Sequence, residues 1–126
     1  MRPKTLAEVA RSVGRGDAFD HCLANFMDEF KFAPNVQALA TEPELLAPQF
    51  GELGQVQDAY LAATAEHLAW ERGFVAPDWV ARAERKLPLP WFASKLAALR
   101  AVLLLESPAA FRSRNLFVSE NALTRA

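Results

Sequence analysis

Apolar side chains recur at helical spacing between positions 19 and 30, and this pattern constrains the fold more than any other feature of the chain. They stand at i, i+3, i+4, i+7, i+8 and i+11, which is one face of an α-helix. Asp17 is a favourable N-cap just before the pattern, and Pro34 ends it because a proline pushes the preceding residue out of the helical conformation. The predicted apolar face consists of Phe19, Cys22, Leu23, Phe26, Met27 and Phe30.

Two further helices are predicted on either side of a proline-broken connector. Thr5 and Glu8 have the spacing of a capping box and open a short first helix. A long helix covers residues 53–73 and ends at Gly73, a residue type that favours the left-handed conformation found at helix C-termini. The face of this long helix that we expect to pack inward consists of Val56, Ala59, Tyr60, Ala63, His67 and Trp70.

The next long helix is predicted from about Ser94 to Leu105, with Ser94 as its cap. Its leucines and its valine cover more than one face. A helix that is apolar nearly all round is normally buried, so we expect the rest of the domain to cover it.

Short elements fill the remainder of the chain. Pro77 starts a short helix with Trp79 directed inward, and Pro108 starts another with Phe111 directed inward. No segment shows sustained alternation of apolar and polar residues, and residues 115–118 form the only candidate strand, without an evident partner. The sequence therefore predicts an all-α fold: a single compact domain over residues 1–126, with three longer helices and several short ones.

The composition excludes several classes of function. The 126 residues are 52% hydrophobic and carry a net charge of −1, so nothing draws the whole chain to nucleic acid or to an anionic membrane. The charge is divided, because residues 1–63 carry 5 basic and 9 acidic side chains (−4) and residues 64–126 carry 9 and 6 (+3). The single cysteine, the missing signal sequence and the lack of a long apolar run indicate a cytoplasmic protein that spans no membrane.

The residues that could support catalysis are few. His21 and Cys22 are neighbours on a helix and point about 100° apart, so they do not face each other. His67 and Glu71 could do acid–base chemistry if a pocket brought another polar group to them, although a helix-face histidine is more often satisfied structurally. Because the chain also lacks the common catalytic and metal-binding motifs, we expect no enzyme, no metal and no cofactor.

A cationic patch near the C-terminus is the first candidate for contact with a partner. It consists of Arg112, Arg114 and Asn115, which could bind a partner's carboxylate or a nucleic-acid phosphate. Alternatively, the two arginines oppose the negative end of a helix or pair with Glu106 or Glu120.

A second candidate lies in residues 77–92, where tryptophans and basic residues are close in sequence. Its members are Trp79, Trp91, Arg85 and Lys86. Tryptophan and arginine are enriched at the energetic centres of protein interfaces. The alternative is that both tryptophans, which flank helix breaks, close the edge of the core.

A series of motifs in the C-terminal half carries a resemblance to a known family. They are Pro-x-Trp at 77–79, Pro-Trp-Phe at 90–92, Ser-Pro-x-x-Phe-Arg-x-Arg-Asn-hydrophobic-Phe-Val at 107–118 and Leu-x-Arg at 123–125. Over about residues 17–126, the chain resembles the C-terminal domain of some bacterial helix-turn-helix regulators. Such proteins are often encoded beside nucleotidyltransferase-like toxins of the abortive-infection kind, so the resemblance implies an antitoxin that neutralises its toxin. The family's DNA-binding domain is missing here, which puts direct repression of an operon in doubt.

The residues and the resemblance together predict a non-enzymatic protein that binds a partner protein. In the antitoxin hypothesis, Arg112 and Arg114 occupy an acidic, metal-binding site on the toxin or lock the toxin in an inactive pose. The alternative is a nucleic-acid-associated regulator that uses the same basic patch. A helix-turn-helix formed by the first two helices is disfavoured, because the acidic residues of the second helix would repel phosphate.

Overall fold

The computed structural model describes residues 2–93, 97–119 and 122–123, and in this part the chain is mostly helical, as predicted. None of the described helices is both long enough and apolar enough to cross a membrane. The helices are α1 (Leu6–Gly14), α2 (Phe19–Phe32), α3 (Gln37–Ala40), α4 (Ala47–Phe50), α5 (Glu52–Arg72), α6 (Ala97–Glu106) and α7 (Ala109–Arg112). The other elements are 3₁₀ turns at Asp78–Ala81 and Ala83–Arg85 and the short strands β1 (Trp91–Phe92) and β2 (Leu116–Phe117).

Helices α1 and α2 pack together through the apolar faces that the sequence predicts. The Thr5 hydroxyl accepts the Glu8 N–H at 3.1 Å, which confirms the cap of α1. All predicted face residues of α2 are buried except Phe19, which is partly exposed and packs against the core. The prediction that Asp17 caps α2 is wrong, because the helix begins one residue later and Ala18 takes the N-cap position without a side-chain hydrogen bond.

Helix α5 is the central element, in contact with α4, α7, both 3₁₀ turns and β2. Its small alanines let neighbours approach on several sides, so the buried surface is wider than the predicted single face. Trp70 was expected to face inward and is instead 77% exposed. The helix ends as predicted, with Gly73 in the left-handed conformation. The buried residues of α5 are Gly54, Gln57, Asp58, Ala59, Leu61, Ala62, Ala63, Thr64, Ala65, Leu68 and Ala69.

A buried carboxylate on α5 fixes the connector that leads into α4. The Asp58 side chain accepts the N–H of Leu46 at 2.6 Å and the N–H of Ala47 at 3.0 Å. Burial raises the pKa of this carboxyl, while the two N–H donors and the nearby Arg85 act in the opposite direction. Asp58 thus satisfies backbone donors at the start of α4 that the short helix itself leaves unpaired.

The guanidinium of Arg85 completes this arrangement from the second 3₁₀ turn. Its side chain is fully buried and lies 3.8 Å from Asp58 and 3.1 Å from Glu42. It also donates to the backbone carbonyls of Asp58 and Pro43. The Trp79 ring lies 5.0 Å from this guanidinium. One arginine therefore joins the connector, α5 and the 3₁₀ turns.

The two short strands pair in parallel, which corrects the expectation that residues 115–118 have no strand partner. Trp91 lies opposite Leu116, and Phe92 lies opposite Phe117. The backbone carbonyl of Asn115 accepts the Trp91 N–H at 2.8 Å. The pairing holds the C-terminal segment at β2 to β1, which directly follows Pro88 and Pro90.

A close backbone contact between α5 and the connector depends on Gly54. A Cβ atom at this position would lie 2.3 Å from the backbone carbonyl oxygen of Leu46. No real contact is so short, so a side chain here would push the connector away from the helix. Gly14 is also helical, but a Cβ atom there would lie 3.5 Å from the Gln49 side chain, which is an ordinary contact distance.

We therefore predict opposite outcomes for alanine at these two helical glycines. Gly54→Ala should lower the free energy of unfolding by about 3 kcal/mol, because overpacking against backbone outweighs the gain in helix propensity. Gly14→Ala should leave stability unchanged or raise it slightly. Urea unfolding followed by circular dichroism measures both, and equal effects would contradict the close contact at Gly54.

Tyr60 joins three helices through its ring. Its centroid lies 5.7 Å from that of Phe19 on α2 and 5.0 Å from that of Phe111 on α7, both in edge-on geometry. Burial raises the pKa of Tyr60 to about 12, and the nearby charge of Asp20 adds to this effect. The phenol is therefore neutral throughout the ordinary pH range.

Tyr60 is the only tyrosine in the chain, so its ionisation can be followed directly. Tyrosinate absorbance should rise near pH 12 in the folded protein and near pH 10 after denaturation. Because the folded-state pKa is raised, the stabilisation from neutral Tyr60 is complete below about pH 10 and is lost as the pH rises through 12. Tyr60→Phe should abolish this alkaline loss of about 3 kcal/mol. Coinciding titrations before and after denaturation would contradict the buried position.

Candidate functional site

The predicted C-terminal patch is largely internal. Arg114 is buried and donates to the backbone carbonyls of Ala110 at 2.7 Å and Val80 at 2.8 Å. Its carboxylate partner is Glu66 on α5, at 3.2 Å. Glu120, one of the two partners considered from the sequence, lies outside the described residues. Arg114 is thus a structural residue that fastens the C-terminal segment to α5, and it offers no surface to a partner.

Asn115 serves the backbone in the same region. Its φ of 62° is a left-handed conformation, which asparagine tolerates better than most residues. Its side-chain amide donates to the Leu87 carbonyl at 2.7 Å. Arg112 is exposed, so it is the only cation of the predicted patch that remains at the surface.

The second predicted patch divides in the same way. Trp79 is buried and donates its ring N–H to the Leu39 carbonyl at 2.9 Å, and Arg85 is enclosed in the ion pairs described above. Lys86 and Trp91 are exposed. Trp79 therefore belongs to the core, as the alternative interpretation proposes, and Arg85, a candidate for contact with a partner, is buried as well. Trp91 and Lys86 remain candidates for contact with a partner.

Helix α6 is where the structure departs most from expectation. We predicted that the domain would cover this apolar helix. Instead, Leu103 is the one large apolar residue of α6 described as buried. Four others are exposed to solvent: Leu99 (46%), Val102 (42%), Leu104 (46%) and Leu105 (85%). The predicted start at Ser94 lies outside the described residues.

The contacts of α6 explain why its apolar side chains are exposed to solvent. Helix α6 packs mainly on β2, which has only two residues. Arg100 lies with its guanidinium 5.3 Å from the Phe92 ring, and Phe92 in turn stacks on Phe117 at 5.0 Å. A two-stranded ladder is too narrow to cover more than one side of a helix. Leu99, Val102, Leu104 and Leu105 therefore face solvent.

The C-terminal end of α6 is firmly held. The Ser107 hydroxyl lies 2.7 Å from the Leu103 carbonyl and accepts the Val118 N–H at 2.7 Å. Ser107 therefore links the last turn of α6 to the segment after β2. The exposed surface of α6 is presented in a defined orientation at this end.

Two of the residues considered for catalysis, His67 and Glu71, lie close together at a groove. His67 lies 3.5 Å from Glu71 and borders a groove of about 320 Å³ together with Glu66, Trp70 and Pro108. Glu66 is already paired with Arg114. No serine, threonine or cysteine lines this groove among the residues that the structure describes. The groove therefore brings an imidazole and carboxylates together without a nucleophile beside them.

The remaining chemistry of the described residues is limited. Cys22 is buried, and burial, aided by the charge of Asp17, raises the pKa of its thiol, which disfavours the reactive thiolate. Within the described ranges, no group of three or more histidine, cysteine or acidic side chains is placed to hold a metal ion. No protein-family model matches the sequence, and neither does any curated protein or solved structure.

We predict that the two arginines of the C-terminal patch differ sharply in their effect on stability. Arg114→Ala should lower the free energy of unfolding by about 3 kcal/mol, because it leaves two buried carbonyls and Glu66 without their donor. Arg112→Ala should have almost no effect, since its side chain is in water. Denaturant unfolding of both variants provides the comparison, and similar stability losses would refute the internal role of Arg114.

Proposed function

We propose that this protein is a non-enzymatic domain that binds a partner protein through the exposed apolar side chains of α6. The observation that supports this proposal is the exposure of Leu99, Val102, Leu104 and Leu105 on one short helix. Single exposed apolar residues are ordinary on protein surfaces, but a cluster of large ones is typical of an interaction site. We call these four residues the α6 surface.

Covering this surface would supply part of the free energy of binding. Full burial of one leucine or valine side chain contributes roughly 1.5–3 kcal/mol. The four partly exposed side chains together would contribute less than four such values, and association itself has a substantial entropic cost. The α6 surface therefore suits the central part of an interface, and additional contacts around it complete the binding energy.

The α6 surface also indicates the chemistry of its partner. Arg100 and Glu106 are the only charged residues in the sequence of α6. Arg100 is exposed and lies over Phe92, and Glu106 is partly exposed, so one charge of each sign stands beside the apolar side chains. A partner would match the surface with an apolar groove that accommodates these two charges, in the manner of a helix lying in a groove.

The motif resemblance suggests which partner this is. We propose a nucleotidyltransferase-like toxin, which would make the protein an antitoxin that acts by covering its toxin. The earlier mechanism, in which Arg112 and Arg114 enter an acidic site on the toxin, is replaced because Arg114 is engaged with Glu66. The nucleic-acid alternative relies on the same C-terminal patch, of which Arg114 is engaged in an internal ion pair.

Charge substitutions on α6 test the proposal against a matched control. Val102→Glu and Leu105→Glu should each weaken binding to a nucleotidyltransferase encoded beside this protein by about ten-fold or more, since a carboxylate would be desolvated in the interface. Val75→Glu is the control, because Val75 is an equally apolar, exposed valine outside α6. Isothermal titration calorimetry provides the affinities.

Two results would contradict the proposal at different levels. Unchanged affinity of both α6 variants would refute the α6 surface as the contact site. Absence of binding to such a nucleotidyltransferase would refute the antitoxin role. Light scattering of the protein alone would then show whether α6 instead joins two copies of this chain, an association that Val102→Glu would disrupt.

A further inference from the structure

The groove beside His67 has an open aromatic wall. Residues from the last two turns of α5 line it, together with Pro108 and the start of α7. Trp70 is one of these lining residues, and it is 77% exposed. Its ring centroid lies 6.0 Å from that of His67, at an interplanar angle of 37°. Most of the indole surface is therefore open to a group that enters the groove.

The charges at this groove favour a cation. Glu66 lines the groove, and its charge is balanced by Arg114, which reaches it through a single guanidinium nitrogen. Glu71 lies at the edge of the groove, 3.5 Å from His67, and its side chain is half exposed. A histidine balances that carboxylate only when it is protonated. Because no lysine or arginine is among the described lining residues, the groove has an excess of negative charge while His67 is neutral.

A guanidinium is the cation that matches both the indole and the carboxylates. It is planar, so it can stack on the face of a tryptophan while its N–H groups donate outward to carboxylate oxygens. The ammonium of a lysine is compact and strongly hydrated, and it matches the charge alone. The negative end of the α5 dipole, at the last turn of the helix, adds to the preference for a cation.

The position of the groove shows where such a cation would come from. Pro108 lines the groove and follows Leu105 of the α6 surface by three residues, so their Cα atoms are at most about 11 Å apart. A protein interface of ordinary size is wider than this distance. A partner that covers Leu105 therefore extends to the groove.

We propose that this groove receives an arginine side chain of the protein that covers the α6 surface. The guanidinium lies on Trp70, and its N–H groups are directed at the carboxylates of Glu71 and Glu66. The origin of the arginine in that partner rests on the proposed function, whereas the recognition of a guanidinium by the groove does not.

Two small probes test the recognition of a guanidinium on the protein alone. N-acetylargininamide carries the group, and N-acetylcitrullinamide has nearly the same shape without the charge. The arginine compound should bind about ten-fold more tightly, the combined effect of an exposed cation–π contact and an exposed ion pair. NMR titration that follows the Trp70 indole N–H signal measures the affinity and locates the contact.

Two glutamate substitutions separate the local charge from the charge of the whole protein. Glu71→Gln should reduce the preference for the arginine compound by about three-fold, because an exposed ion pair is lost. Glu52→Gln is the matched control, since Glu52 is an exposed glutamate in the first turn of α5, and it should keep the preference intact. Equal binding of the two probes, an equal effect of the two substitutions, signal changes away from Trp70, or no binding at millimolar concentrations would overturn the recognition of a guanidinium.

A third experiment tests the origin of the arginine. Trp70→Leu should weaken binding to the adjacently encoded nucleotidyltransferase by about five-fold in calorimetry, because the cation–π contact is lost. Phe32→Leu is its control, as an exposed aromatic residue at the end of α2. If Val102→Glu weakens this binding and Trp70→Leu does not, the partner's arginine is refuted and the proposed function stands. If the nucleotidyltransferase does not bind at all, the proposed function and the origin of the arginine fail together, and the two probes alone decide whether the groove recognises a guanidinium.

Discussion

The buried guanidinium of Arg85 is the interaction on which the rest of the structure depends. A cation removed from water is tolerated only when carboxylates and carbonyls surround it, and here Glu42, Asp58 and Pro43 supply them. Glu42 and Pro43 belong to the connector, Asp58 to α5 and Arg85 itself to a 3₁₀ turn. Because a buried ion pair of this kind is often no more stabilising than an apolar contact of the same size, its main effect is geometrical. It determines how the proline-broken connector lies on α5, with Gly54 allowing the close approach.

Arg114 repeats this arrangement for the C-terminal segment. It reaches Glu66 on α5 and the Val80 carbonyl in the first 3₁₀ turn, so both buried arginines anchor irregular chain onto the same central helix. The backbone N–H and C=O groups of a helix pair with each other, whereas those of connectors and turns need side chains as hydrogen-bond partners. Arg85 and Arg114, which look like surface residues in the sequence, therefore hold the non-helical segments of the fold in place. The exposed apolar side chains of α6 take no part in either arrangement.

Local patterns in the sequence predicted the local structure well. The apolar period of α2, the Thr5 cap and the Gly73 terminus are all properties of a few neighbouring residues, and the structure confirms each. The sequence could not show the partners of Arg85 and Arg114, since Glu42 lies 43 residues from Arg85 and Glu66 lies 48 residues from Arg114. The pairing of β1 with β2 is non-local in the same way. The α6 pattern was identified correctly as apolar, but its exposure depends on the width of the ladder beneath it.

The short ladder between β1 and β2 has a further consequence for how this protein can change over evolutionary time. It ties Ala93, just before α6, to Phe117 by a 3.0 Å hydrogen bond, and Ser107 ties the other end of the helix to Val118. Ala93 and Ser107, on either side of α6 in the sequence, are thus both hydrogen-bonded to the segment at β2, and the solvent-facing side chains of α6 take no part in the core around α5. Substitutions on that side can accumulate with little effect on folding. Variation there changes the surface of the domain while its scaffold stays intact.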